Sequence, residues 1–424
     1  MNDVKEPKFE ASSFVGLTDV LIHEILFRLP LKSLGILKCV CKKLNTLISD
    51  PEFTIPLLEL LKSTTPPLTI AMLQYNTIAS LNFTSYTDIN EGVSLTPWDR
   101  QFGNNAIFES CYYFIIGSCY GLLCLYIKEG KRGEDMMYIW NPFFRKSKRI
   151  ALPFGGNSTY VHVDSCWFGF VQSLNDYRIV LVSTVCKPYC GKRMHLYSLR
   201  FDHWRVMCVS DEDVSFISGS NSVFMNEALH YLVHRECILK FDLDTETVER
   251  IPFSIVPKLF PRVDQVLLGV IGEYDCLCVV FVHYSMKDFE EEDSRGNCEN
   301  VEWMLELWML EEYDNWNSWK KLYRIDLREE IATRCTQFLG LTYNGIICIQ
   351  AVADGLVVVN PRCNPPSHIF VREAGAEVFK LTDYVESLVL PLNPLPLDKD
   401  VDNDDDSDDV DFLYYGDEDD DDDD

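Results

Sequence analysis

Apolar positions in the first sixty residues recur at helical spacing, whereas those beyond residue 110 alternate in short runs. Leu21, Ile22, Ile25, Leu26 and Leu29 fall at i, i+1, i+4, i+5 and i+8, which predicts one apolar stripe on a helix begun at Thr18-Asp19. Leu29-Pro30 ends it, because the residue before a proline is pushed out of the α region. A second helix is expected from about Ser33, carrying Leu34, Leu37, Cys41, Leu44 and Ile48, with Asp50-Pro51 at its end. A helical hairpin of roughly 40 residues cannot cover so much apolar surface alone. It needs a partner, or it is a lid packed on the chain's own downstream domain.

From about Cys111 to Leu392 short runs rich in Val, Ile, Tyr, Phe and Trp alternate with Gly, Asn, Asp and Pro, as strands and turns do. Laying together YIWNP, LYSL, KFDL, LWML and VVNP puts Trp140, Tyr197, Phe241, Trp308 and Val359 at one position. Pro142, Leu199, Leu243, Leu310 and Pro361 follow two further on, and residues two apart share a face of a strand. Each string is preceded by another β-like run (GLLCLYI, YRIVLVS, ALHYLV, CLCVVFV, IICIQAV), and the first three are followed by a polar turn and a returning strand. Antiparallel units repeated at roughly 45 to 65 residues are the mark of blades stacked radially. The expected fold is α+β and multidomain: an N-terminal helical module, then an all-β propeller-like domain, then a disordered acidic tail; a large sandwich is the alternative for the β part.

The domain reading is a flexible leader at 1–15, a helical module at 16–56, a linker with a possible first blade (Leu68 to Phe83) at 57–110, the β domain at 111–394 and the tail at 395–424. Charge supports the last boundary. The formal net charge is −28, and from Asp400 onward there are 15 Asp and one Glu with no Lys or Arg, so removing these sixteen charges leaves −12 for the rest. A body still acidic argues against nucleic acid as a partner, since phosphates demand a basic face. The start MNDVKEPKFE has no apolar core of a signal peptide, so the sixteen cysteines are read as reduced thiols of a cytoplasmic or nuclear protein. No membrane contact is expected: the most apolar run, Gln265 to Val282, is interrupted by Glu273 and Asp275.

Candidate chemistry is sparse. No Gly-x-Ser-x-Gly elbow, phosphate-binding loop, His-Glu-x-x-His or dinucleotide fingerprint is present. Cys186, Cys190 and His195 approach a metal set but lack a fourth ligand, and Cys39, Cys41, Cys124, Cys276, Cys278 and Cys348 lie in apolar runs as small core residues do. No cofactor or catalytic residue is expected. Arg145, Lys146, Lys148 and Arg149 form a basic cluster that reads as the turn and outgoing strand of a hairpin, or as an import signal. Two segments stand out as recognition loops, the basic Cys186 to Arg193 and Tyr284 to Asn300 with Phe289-Glu290-Glu291-Glu292-Asp293.

The N-terminal string resembles an F-box, with Leu17, Asp19, Leu21, Ile22, Glu24, Ile25, Leu26, Arg28, Leu29, Pro30, Lys32, Ser33, Leu34, Cys39, Val40, Lys42, Asp50, Pro51 and Phe53 in register with the family pattern. Thr18 stands where the family has a proline, and Leu44 where it has a tryptophan. GSCYGLLCL from Gly117, FGFVQSLNDYRIVLV from Phe168, LYSLRFDHWRVM and LELWMLEEYDNWNSWKKLYRI resemble the F-box-associated, kelch-like domain of plant F-box proteins, S-locus F-box-like proteins among them. Only Gly155-Gly156 matches the double glycine of true kelch units. The resemblance implies a non-catalytic substrate-recognition subunit of an SCF-type cullin ubiquitin ligase. It would bind a Skp-type adaptor, and through it a cullin, by Leu17, Leu21, Ile22, Ile25, Leu26, Leu29, Pro30, Leu34, Val40 and Leu44, and an unknown protein substrate by the β domain. The alternative is a non-degradative interaction scaffold that uses the same helices for another partner.

Overall fold

The computed structural model describes residues 19–64, 68–73, 77–83, 93–97, 112–128, 135–154, 161–186, 191–207, 222–233, 237–252, 263–271, 276–286, 301–333, 335–341, 346–351, 355–361, 367–371 and 378–391. The leader and the acidic tail lie outside them. Helices come first: α1 (Asp19–Leu26), α2 (Leu31–Leu37), α3 (Lys42–Ser49) and α4 (Pro51–Thr64). The expected two-helix hairpin is thus four helices. Pro30 does not open a gap as far as Ser33 but stands as the N-cap of α2 with an extended backbone (ψ 145°). The expected second helix is cut because Cys41 is extended (φ −155°, ψ 160°) and starts α3 afresh. Asp50-Pro51 ends α3 as expected, and Pro51 also begins α4, since a proline at the first helical position lacks only an N–H that would be unpaired anyway. Asp50 Oδ1 caps that start, accepting from Glu52 N at 2.9 Å.

The strands form six four-stranded sheets. The first comprises β4 (Tyr112–Cys119), β5 (Leu122–Lys128), β6 (Met136–Asn141) and β7 (Lys146–Ala151); the second β8 (Val161–Val171), β9 (Asp176–Val185), β10 (Gly191–Ser198) and β11 (His203–Val206). The third is β12 (Ser222–Met225), β13 (Ala228–Val233), β14 (Cys237–Asp242) and β15 (Val248–Pro252), and the fourth β16 (Val263–Ile271), β17 (Cys276–Met286), β18 (Val301–Leu310) and β19 (Trp319–Leu327). A short helix α5 (Glu329–Ala332) leads to the fifth, β20 (Cys335–Leu341), β21 (Ile347–Ala351), β22 (Gly355–Asn360) and β23 (Ser367–Val371). One parallel pairing, Ile271 with Leu341, joins the fourth and fifth sheets edge to edge.

The sixth sheet closes the ring. Its innermost strand, β24 (Val378–Tyr384), comes from the end of the domain, and its outer three, β1 (Leu68–Leu73), β2 (Thr77–Phe83) and β3 (Val93–Pro97), come from its beginning. The innermost strands β4, β8, β12, β16, β20 and β24 neighbour one another in that order, and β24 returns to β4. This is a propeller, not a sandwich. Leu68 to Phe83 supplies two strands of the closing blade rather than a first blade of its own, because its inner edge is occupied only when β24 arrives.

The recurring strings are the third strands of successive blades. Each recurring aromatic or valine packs toward the blade before it: Trp140 with Tyr384, Tyr197 with Ile139 and Leu152, Phe241 with Val180 and Leu196, Trp308 against Ile238 and Ile251, and Val359 with Val280 and Leu305. Inner strands approach so closely that a Cβ on Gly169 would lie 2.1 Å from the Phe224 ring and one on Gly269 2.2 Å from Phe338. Any larger residue there would have to displace those rings.

Candidate functional site

Two kinds of surface follow from this topology. The chain enters the propeller from α4 into β1 and leaves it after β24 on the same face, so the helices and the segment 385–391 meet there. Leu388 inserts among Ile22, Leu26, Leu34, Leu44, Ile48 and Phe53, and Phe143 and Phe144 from the β6–β7 turn pack on the same cluster. Asn141 holds this C-terminal strap, donating from Nδ2 to the carbonyls of Ser387 (3.0 Å) and Val389 (2.6 Å), while its Oδ1 accepts from Phe144 N (3.1 Å). Lys38 Nζ reaches Leu388 O at 3.4 Å and lies 5.3 Å from the centre of the Phe144 ring. Burial lowers the pKa of this lysine. Tyr120 OH donates to Glu59 of α4 (3.1 Å), and Ile55 packs on the core between the first two blades.

The ten residues assigned to adaptor binding divide on this scaffold. Ile22, Leu26, Leu34 and Leu44 are buried in the module's own core and against the strap, so they are positioning residues and not a docking face. Leu21 and Ile25 point outward, because residues one apart on a helix are turned by about 100°, and the stripe is wider than one face. Leu21, Ile25 and Val40 are exposed, as are Val20 and Ile36, at 50% to 72%. Pro30 is exposed, Leu29 is half-buried, and Leu17 and Thr18 lie outside the described residues. Val20 and Ile36 escaped the sequence reading because neither keeps the spacing of the buried stripe. The module is therefore a lid on its inner side and an uncovered apolar surface on its outer side.

The opposite face of the propeller carries the connections between second and third strands. The end of β9 with the start of β10, and the end of β17 with the start of β18, lie there and flank the two expected recognition loops, of which residues 187–190 and 287–300 lie outside the described residues. Phe114, near the start of the innermost strand β4 and hence on this face, is 40% exposed. The basic cluster is on β7 and the turn before it, where Arg145 has φ 54° and Lys148 pairs with Asp202 of the next blade at 2.9 Å. Lys148 thereby ties two blades together.

The interior holds polar groups, His195 of the near-metal set among them. Ser183 Oγ lies 3.1 Å from His195 Nε2, a spacing that suits a nucleophile and base. Ser183 is fully buried and His195 nearly so, with its Nδ1 unpartnered, so the pair has neither access nor an orienting carboxylate. Burial, assisted by Arg193, lowers the His195 pKa to about 4; burial, with Lys240, does the same for His230, whose Nε2 is 2.8 Å from Tyr313 OH. Among the described residues no three His, Cys, Asp or Glu side chains could hold a metal ion, and no helix is long and apolar enough to cross a membrane. Cys186 is exposed and Cys190 lies outside the described residues.

Comparison with known proteins agrees with both modules. The profile of the F-box domain matches residues 14–56, and that of the F-box associated beta propeller domain matches residues 70–360. An F-box/kelch-repeat protein of Arabidopsis thaliana is 25% identical over 244 residues, 55% of this chain and 64% of that protein. An F-box protein of the same plant is 23% identical over 371 residues, covering 81% of each chain. The chain spans about three fifths of the length of the first curated relatives it matches. Among solved structures, TolB from Acinetobacter baumannii aligns with a TM-score of 0.42 at 9% identity, over 78% of this chain and 72% of that one. With a propeller profile covering more than half its length behind an F-box, the chain belongs to the F-box associated β-propeller family.

Proposed function

We propose that this protein is the substrate receptor of an SCF-type ubiquitin ligase. In this reading the outer apolar surface of α1, α2 and the turn after α2 binds a Skp-type adaptor, which links the chain to a cullin. A target protein docks on the propeller face opposite the helices. No bond is made or broken on this chain, and it needs no cofactor. It acts by tethering a target beside a charged conjugating enzyme, which raises effective concentration without a new catalytic group. The chain would act in the cytoplasm, the nucleus or both, where reduced cysteines persist.

The observation that carries the reading is the exposure of Leu21, Ile25 and Val40, with Val20 and Ile36 beside them, on a module whose Ile22, Leu26, Leu34, Leu44, Ile48 and Phe53 are buried. The test is capture of a recombinant plant Skp-type adaptor by the full chain and by a Leu21→Asp/Ile25→Asp double variant. Loss of capture with an unchanged melting temperature supports the reading. Equal capture by the double variant would remove this surface from it. Adaptor capture without cullin in a plant extract would favour the second reading, a non-degradative scaffold.

A further inference from the structure

Between the helices, the strap and the turns of the first two blades lies a cavity of about 720 Å³, its open mouth included. Clefts at such junctions between domains are where small molecules commonly bind. Ile55, Leu58, Phe170, Leu199 and Leu388 make the wall mostly apolar. Two cationic residues line it from opposite modules: Lys38 at the C-terminal end of α2 and Arg200 in the β10–β11 turn.

Neither cation has a carboxylate partner among the described residues. Lys38 has only the long bond to Leu388 O and the Phe144 ring. Arg200 donates to Leu174 O at 3.1 Å and lies over Phe201, while its Nε is buried without an acceptor. The one acid on the wall, Asp176, is already engaged. Its Oδ1 accepts from Arg200 N (2.9 Å), and its Oδ2 accepts from Ser198 Oγ (2.6 Å) and Arg178 Nε (3.3 Å). Half-buried charges without a counter-ion gain from an anion that settles beside them. The apolar walls demand that the anion carry an apolar body.

We propose that this cavity binds a small carboxylic acid with a single-ring or short-chain apolar body, its carboxylate taken by Lys38 and Arg200. Such a ligand would bridge the helical module and the propeller, and it would stabilise the folded chain by mass action. The site is independent of the receptor reading, since none of its residues belongs to the outer apolar surface.

Isothermal titration calorimetry on the full chain, with 3-phenylpropanoate, 3-phenylpropanamide and acetate as probes, tests it. The expected result is a dissociation constant for phenylpropanoate below about 1 mM, at least about tenfold tighter than for the amide or acetate. Lys38→Met, which keeps the stem and removes the charge, should weaken phenylpropanoate by about tenfold, as should Arg200→Met. Ser49→Phe, which adds a ring at a lining position, should abolish binding. Each variant is first melted without ligand; if Arg200→Met has lost its fold, Lys38→Met and Ser49→Phe decide. Absence of phenylpropanoate binding, equal affinity for amide or acetate, or an unchanged constant in Lys38→Met would each overturn the proposal.

Discussion

The helical module and the propeller solve the same burial problem in opposite ways. In the propeller every blade covers the face of the next, the ring closes through β24, and six innermost strands have neighbours on both sides. Its large apolar residues are almost all inside, with Phe114, Phe201 and Val206 as the exposed ones among the described residues. The helical module has four short helices and no ring to close. It buries one half of its α1 stripe and leaves the other in water. A closed repeat can be self-sufficient, whereas a short helical module remains apolar outside unless another chain covers it.

The largest effect should come from the self-sufficient part. Phe241 is fully buried between the second and third blades, and Phe241→Ala should cost about 3–5 kcal/mol, the usual range for such truncations. Chemical denaturation followed by tryptophan fluorescence measures it. If that variant melted no lower than wild type, the blades would not be the cooperative unit described here.

Acid should strike the same region. His230 is fully buried, and its pKa falls from 6.5 to about 4 on folding, so the unfolded chain binds the proton more readily. The stability it supports is complete above pH 6.5 and is lost as pH falls through 4, to the extent of roughly 3 kcal/mol. Melting curves from pH 7.5 to 4 should show this limb, and it should flatten in His230→Gln. His195 is depressed in the same direction and adds to it.

The contrast within α1 sharpens the comparison at smaller cost. Ile22→Ala should lose about 2–4 kcal/mol because it opens a cavity beside Leu34 and Leu388. Leu21→Ala, one residue away and half exposed, should stay within about 0.5 kcal/mol. Similar losses from both would mean that the two faces of α1 are not distinct. Leu44→Trp, which restores the F-box family's ring, should overpack the same core at about 1–3 kcal/mol. Least of all should removal of residues 400–424 matter: fifteen aspartates and one glutamate repel one another, and thermal melting of the truncated chain should match that of the full chain.

Local pattern carried much of this fold. The strings around Trp140, Tyr197, Phe241, Trp308 and Val359 were legible because a buried strand face repeats at every second residue, and each blade repeats the same demand. Gly169 and Gly269 were not legible. They sit inside strands, and only the approach of Phe224 and Phe338 from the next blade explains them. Nor was the cavity with Lys38 and Arg200, whose members are 162 positions apart in the chain.

By itself the sequence determined the two modules, their order, the strand periodicity and the apolar excess of the helices, since these follow from spacing and residue type. The tertiary structure decided which half of the stripe faces water, how β24 closes a ring begun by β1 to β3, and what the strap does to Leu388, Phe143 and Phe144. Those outcomes depend on which surfaces meet. Spacing along one helix or strand states that a face must be covered, and only the packed chain states by what.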